Sequence, residues 1–177
     1  MMLKRAKSFL CRDEAGTATI EFVILFPIFM TLLLSAFEVG MFMTRQVLLE
    51  RGVDLAVRDL RLGLMVNPTP ASLKTAVCEY AGPLAGCAST ISIELRPISK
   101  ETWVLPTAIV QCIDRNEEIN PDLTFDTGTE NELMLVRACM VIDPVFATSA
   151  IVAQMPKDES GGYQIYSSSI FVNEPNT

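Results

Sequence analysis

Polar and apolar positions divide the chain into stretches of different character. Residues 22–37 read FVILFPIFMTLLLSAF, sixteen residues without a charge, and past Glu38 the apolar character resumes through Val39, Met41, Phe42 and Met43. About 20 helical residues cross roughly 30 Å of hydrocarbon, so this pattern predicts a membrane-spanning helix over about 22–44. A buried core helix is the alternative, but such a helix seldom stays apolar on every face over several turns. Pro27 weakens the helix near its start, a cost that membrane helices tolerate when neighbouring groups take up the freed carbonyl. Outside the span Leu49, Val53, Ala56, Leu60 and Leu64 recur at helical spacing and draw one apolar stripe. The stripe predicts that the helix continues over 45–66, until Gly63 weakens it and Asn67-Pro68 stops it. The result is one rod, roughly 65–70 Å long, over 17–66.

From 67 to 177 the period changes. Ser72 is placed to cap a short helix that runs through Tyr80 and ends at Gly82-Pro83. Ile91, Ile93 and Leu95 alternate with Ser92, Glu94 and Arg96, the signature of a half-buried strand. Trp103-Val104-Leu105 and Ala108-Ile109-Val110 flank Pro106 and predict an edge or bent strand. LMLVRACMVI, residues 133–142, is the most apolar run of the body and predicts a central strand. Residues 145–155 read as a short helix or irregular chain, and Gly161-Gly162 precede a last strand over 163–172. The pattern gives about four strands and two short helices, an α+β body with a mainly antiparallel sheet.

Charge and composition narrow the function classes. Fourteen Lys and Arg stand against 21 Asp and Glu, for a formal net charge of −7, which argues against a nucleic-acid partner. There is no histidine, so Ser-His-Asp and Cys-His nucleophiles and histidine-ligated metal sites are all removed. The expectation is a protein that is not an enzyme and needs neither metal nor cofactor. Basic residues near the span lie upstream, at Lys4, Arg5, Lys7 and Arg12, whereas Arg45 and Arg51 are interleaved with Glu50 and Asp54. This asymmetry predicts a cytoplasmic N-terminus and an exported C-terminal body. Signal-peptide cleavage after the run is disfavoured, because a cut after Ala36 or Gly40 puts Leu34 or Phe37 where a small residue is needed.

The threshold of the span carries the most distinctive motif. Gly16 is followed five residues later by Glu21, then Phe22, and an ionisable group there is costly without a partner. The arrangement resembles a type IV prepilin signal, in which a membrane peptidase cuts after the glycine and the hydrophobic helix stays on the mature protein. A new amine at Thr17 and the Glu21 carboxylate of a neighbour are each poor guests in lipid but neutralise each other. An interfacial acid favoured by the helix dipole is the simpler alternative. The wider segment resembles the TadE-like family of tight-adherence pilus proteins. The matching features are Gly16 with Thr17 and Ala18, Glu21-Phe22, Pro27, Glu38-x-Gly40 and Ala56-Val57-Arg58. Asp13-Glu14 depart from the pattern by weakening the positive leader.

That resemblance implies a type IV pilin-like architecture: a 1–16 leader, a long helix over 17–66 and a periplasmic domain over 67–177. It implies a minor pilin or pseudopilin of a tight-adherence (type IVc) pilus, with Gly16 and Thr17 as the processing site and Glu21 with Phe22 as the assembly contact. Implied partners are the prepilin peptidase, other pilins or pseudopilins, the assembly platform and the lipid of a bacterial inner membrane. An uncleaved single-pass anchor presenting a periplasmic adaptor domain is the second hypothesis. Glu38, the second acid of the span, reads as marking the outer interface and reaching water, with a contact to another membrane helix as the sharper alternative.

Cysteine placement agrees with export. Cys11 lies in the leader, and Cys78, Cys87, Cys112 and Cys139 lie on the exported side, an even number without metal-type spacing. Three connectivities are open. Cys78 with Cys87 closes the shortest loop and leaves Cys112 for Cys139; buried free thiols are the alternative. Asp126-Thr127-Gly128 reproduces the aspartic-protease triplet, but that chemistry needs two such carboxylates and no second triplet follows. An acidic turn is the preferred account, and a membrane-tethered aspartic protease is the remote one. Asp122, Asp126, Glu130 and Glu132 miss the spacing of a calcium loop.

Overall fold

The computed structural model describes residues 15–117, 123–147, 149 and 151–174, with side chains from 18 onward. The leader with Cys11, and Asp122 of the acidic loop, lie outside the described residues. Helix α1 (Ala15–Arg61) runs unbroken for 47 residues, about 70 Å at 1.5 Å per residue, with Pro27 inside it. Thr31 and Thr44 turn their hydroxyls back onto the carbonyls of Ile28 and Gly40, 2.8 Å each, so these two polar groups need no water. The helix stops sooner than the stripe predicted. Gly63 sits at φ 65° and the chain turns there, which leaves Leu64 67% exposed rather than packed.

Helix α2 (Pro70–Ala81) begins one turn earlier than expected. Thr69, not Ser72, is the N-cap; Ser72 is its reciprocal partner, so the two hydroxyls form a capping box, with Pro70 at the first helical position. A single turn, α3 (Cys87–Thr90), leads into β1 (Ile91–Ile98), followed by β2 (Leu133–Ile142) and β3 (Tyr163–Val172). The sheet order is β1-β2-β3, antiparallel throughout, and the most apolar strand is central as expected.

Among the described residues three strands form, and the expected strand around Pro106 does not. Its place at the sheet edge is taken by another stretch: Leu95 donates its N–H to the Thr124 carbonyl (3.0 Å) and accepts from the Asp126 N–H (2.8 Å). Trp103, Val104, Leu105 and Ile109 are at least half exposed in consequence. The segment after β1 instead crosses the outer sheet face. It is held by Ser92 Oγ donating to Gln111 O (2.6 Å), by Arg137 Nη1 donating to Ala108 O (2.5 Å) and by the Cys112–Cys139 disulfide. Beneath it Arg137 pairs with Glu94 on the neighbouring strand, so both buried charges are matched.

The inner sheet face packs on the helices. Leu49, Val53 and Ala56 of α1 and Leu73 and Val77 of α2 are fully buried against Ile91, Leu95, Met134, Val136, Met140 and Ile165. A small residue lets the two helices approach. A Cβ added at Gly52 would lie 2.6 Å from the Val77 carbonyl oxygen and 2.9 Å from the Ala81 Cβ. Gly52→Ala is therefore expected to destabilise the body by roughly 1–3 kcal/mol through overpacking, read as a lowered thermal midpoint. Ala at the exposed helical Gly40, where nothing lies within 4 Å, should not lower it.

The outer half of α1 lies along β3 in the same direction. Phe42 stacks edge-on to Tyr163 (5.7 Å), Gln46 donates to the Tyr166 carbonyl (2.7 Å) and Arg61 meets Glu174 (3.3 Å). Residues 38–61 rise about 35 Å as helix, and 163–174 extend about 36 Å as strand, so the two elements match end to end. This fixes a polarity for the body. The β2–β3 connection lies beside Glu38, and the start of the loop that follows β1 lies at the far end, the end of Arg61.

Candidate functional site

Two carboxylates stand on the apolar stretch of α1, and their surroundings are opposite. Glu38 is 1% exposed. Its Oε1 accepts from the Val145 N–H (3.0 Å) and the Tyr163 hydroxyl (2.8 Å), and its Oε2 accepts from the Phe146 N–H (2.8 Å). The expectation that Glu38 reaches water is thereby corrected, since the body covers it. Its partners among the described residues come from its own body, across 107 to 125 residues of sequence. The physical reason is that the 143–147 loop folds back onto the helix and brings two unpaired backbone donors, which a buried carboxylate satisfies. Phe37 closes the contact edge-on against Phe146, with ring centroids 5.6 Å apart.

One turn beyond Phe42, Arg45 Nη1 donates to the Asp143 carbonyl (2.5 Å), while the Asp143 carboxylate meets Arg115 (2.8 Å). The loop is thus pinned to the helix at Glu38 and again at Arg45. Gly162 lies against this knot with no room for a side chain: a Cβ there would meet Arg115 and Val141 at 2.5 and 2.6 Å.

Glu21 is the contrasting acid. It is exposed, and its side chain has no hydrogen-bond or ion-pair partner among the described residues. Around it Ile20, Phe22, Val23, Ile24 and Leu25 are all more than 60% exposed, and Phe22 stacks on Phe26 at 5.0 Å. Gly16 and Thr17 fall in the first turn of α1, where the backbone alone is described. Gly16, Glu21 and Phe22 therefore share one helical segment that the body does not touch. Glu38 sits four to five turns further along, where the body begins.

The cysteines pair as the shortest-loop reading gives. Cys78–Cys87 ties the end of α2 to α3 with Cα atoms 5.7 Å apart, and Cys112–Cys139 ties the outer segment to β2 at 5.1 Å. Asp126 makes a local turn, its Oδ1 accepting from the Gly128 N–H (2.9 Å) with Gly128 at φ 66°.

The clamp has a titration signature. Burial, then the hydrogen bond to Glu38, pushes the Tyr163 phenol well above its ordinary range. Tyr80 is raised chiefly by its hydrogen bond to Asp59 (2.5 Å), and Tyr166 by burial. These are the three tyrosines of the chain. A raised folded-state value means that their contribution to stability is whole below about pH 10, the unfolded value. It is lost as pH climbs through the folded values. Ultraviolet titration of the folded protein should show every phenol ionising above the ordinary value, and all three returning to it in denaturant.

A helix long and apolar enough to cross a membrane, joined to a small disulfide-bonded α+β body, is the class these features define, and it suggests a single-pass membrane anchor. The family model described as TadE-like protein matches residues 16–58, a stretch that lies within α1, so this helix is similar to that of TadE-like proteins. No curated protein and no solved structure matches the chain.

Proposed function

We propose that the chain is a minor pilin or pseudopilin of a tight-adherence (type IVc) pilus. It is cut after Gly16 by a prepilin peptidase and acts in pilus assembly or initiation through packing of its retained helix. The observation that carries this reading is the contrast between the two acids. Glu38 is consumed by its own body, whereas Glu21 stands five residues after Gly16 on a bare apolar helix. An acid in that position needs a partner, none of the described residues supplies one, and the amine released at Thr17 of a neighbouring subunit has the right charge.

In this account the membrane span is 18–37 rather than 22–44. Those twenty residues rise about 30 Å, the thickness of the hydrocarbon, and the body takes over the helix at Glu38. The basic leader stays on the cytoplasmic side and the body, with its disulfides, lies in the periplasm. Prepilin peptidase, neighbouring pilins and the assembly platform are its partners, with no cofactor and no catalytic role of its own.

Glu21→Ala tests the assembly role. The variant should be processed at the normal rate, since the cut lies at Gly16, yet be strongly depleted from sheared filaments and retained in the membrane fraction. Normal incorporation of the variant would remove Glu21 from the mechanism.

A further inference from the structure

We infer that the 143–147 loop is a second, interfacial membrane contact, a foot that seats the body on the outer boundary of the bilayer. The inference rests on the reading of 18–37 as the span. Three observations place the loop at that level. Its backbone is held on the Glu38 carboxylate through the Val145 and Phe146 N–H groups, and its Asp143 carbonyl is held by Arg45. The Phe146 ring rests on Phe37, the last residue of the bare apolar helix. Of the residues it turns outward, Val145, 41% exposed, and Ala147 are apolar and lie beside Phe37, 50% exposed; Asp143 at the start of the loop is also exposed, its carboxylate paired with Arg115.

A loop pinned to the helix where the hydrocarbon ends cannot rise into water without breaking the Glu38 clamp. Its exposed side chains therefore occupy the boundary between acyl chains and headgroups, where apolar groups are buried by about 5–10 Å. The occupant is lipid, since the patch is continuous with the lipid-facing surface of the helix. Two contacts fix an orientation that one cannot. A single helix lets the body swivel, whereas helix and foot together set which face of the sheet looks along the membrane.

The test uses the full chain in phospholipid nanodiscs whose acyl chains carry bromine, a short-range quencher of tryptophan. Trp103 is the only tryptophan and belongs to the far end of the body, so the wild-type protein is the distal control. In a Trp103→Phe background, Ala147→Trp and separately Val145→Trp report on the foot, and Phe29→Trp reports on the span. With bromine near the headgroup end, both foot reporters should lose about half their emission or more, as expected for side chains seated at the boundary, while Trp103 is unaffected. Quenching of Phe29→Trp by deeply placed bromine with both foot reporters unquenched would overturn the foot and leave the anchor standing. An unquenched Phe29→Trp would overturn the anchor reading, and this inference with it.

Discussion

Glu38→Ala is expected to lower the stability of the solubilised full chain by roughly 3–5 kcal/mol, the cost of stripping a buried charged acceptor from its donors. The change strands three donors, the N–H groups of Val145 and Phe146 and the hydroxyl of Tyr163, in a site that is 1% exposed. It also opens space between α1 and the β2–β3 connection. Glu38→Gln keeps one acceptor oxygen and should fall between the variant and wild type. Tyr163→Phe removes only the hydroxyl, a loss of about 1.5–3 kcal/mol for a hydrogen bond to a charged group. The double variant should then lose clearly less than the sum of its parts, because the two side chains share one bond. Denaturant midpoints in a fixed detergent read the four variants against wild type. Additive losses, or a Glu38→Ala midpoint equal to wild type, would show that the carboxylate does not hold the body to the helix.

The second large effect is removal of the Cys112–Cys139 bridge by serine at both positions. It closes 27 residues of sequence against nine for Cys78–Cys87. In the chain-entropy account these loops are worth about 3–4 and about 2–3 kcal/mol respectively. The difference in consequence should exceed the difference in energy. The longer bridge is one of the ties that hold the outer segment on the sheet face, alongside the Ser92 and Arg137 hydrogen bonds to Gln111 and Ala108 and the buried Val110. Its loss should expose residues 99–112 to limited proteolysis while the core that packs on α1 survives. Loss of the shorter bridge should lower the midpoint without a new cleavage site. Equal protease resistance of both variants would assign the outer segment to its hydrogen bonds alone.

What was legible in the sequence depended on local periodicity. The charge-free run, the alternation around Ile93, the apolar strand from Leu133 and the last strand from Tyr163 each announce one element, although β1, expected to be half-buried, is buried at Ser92 and Glu94 as well because the outer segment covers that face. The mainly antiparallel sheet and the central place of the most apolar strand were also expected. The segment around Trp103 has strand-like residues on both sides of Pro106, but a strand also needs an edge to pair with. That edge is claimed by residues 124–126 through Leu95, a non-local competition that no window of sequence contains. Leu64 continued an apolar stripe yet lies beyond the glycine turn that ends the helix.

Glu38 shows the same limit at the candidate site. Its neighbours on both sides are apolar, which sets it apart from an acid at the end of a run, but the donors that explain it lie more than a hundred residues away. The available signal was the resumption of apolar residues at Val39, which is odd for an acid open to water and ordinary for a buried, satisfied charge. For Glu21 the structure adds only its exposure on the bare part of α1, and the role proposed for it still rests on its spacing to Gly16.

The proposal that a trimmed helix remains on the mature protein is tested most directly by intact-mass analysis and N-terminal sequencing of the membrane-extracted protein from a host with prepilin peptidase. The account predicts a chain that begins at Thr17 and retains α1, 177 − 16 = 161 residues long. A membrane-bound product with its leader intact, or a soluble product that has lost the helix, would contradict it.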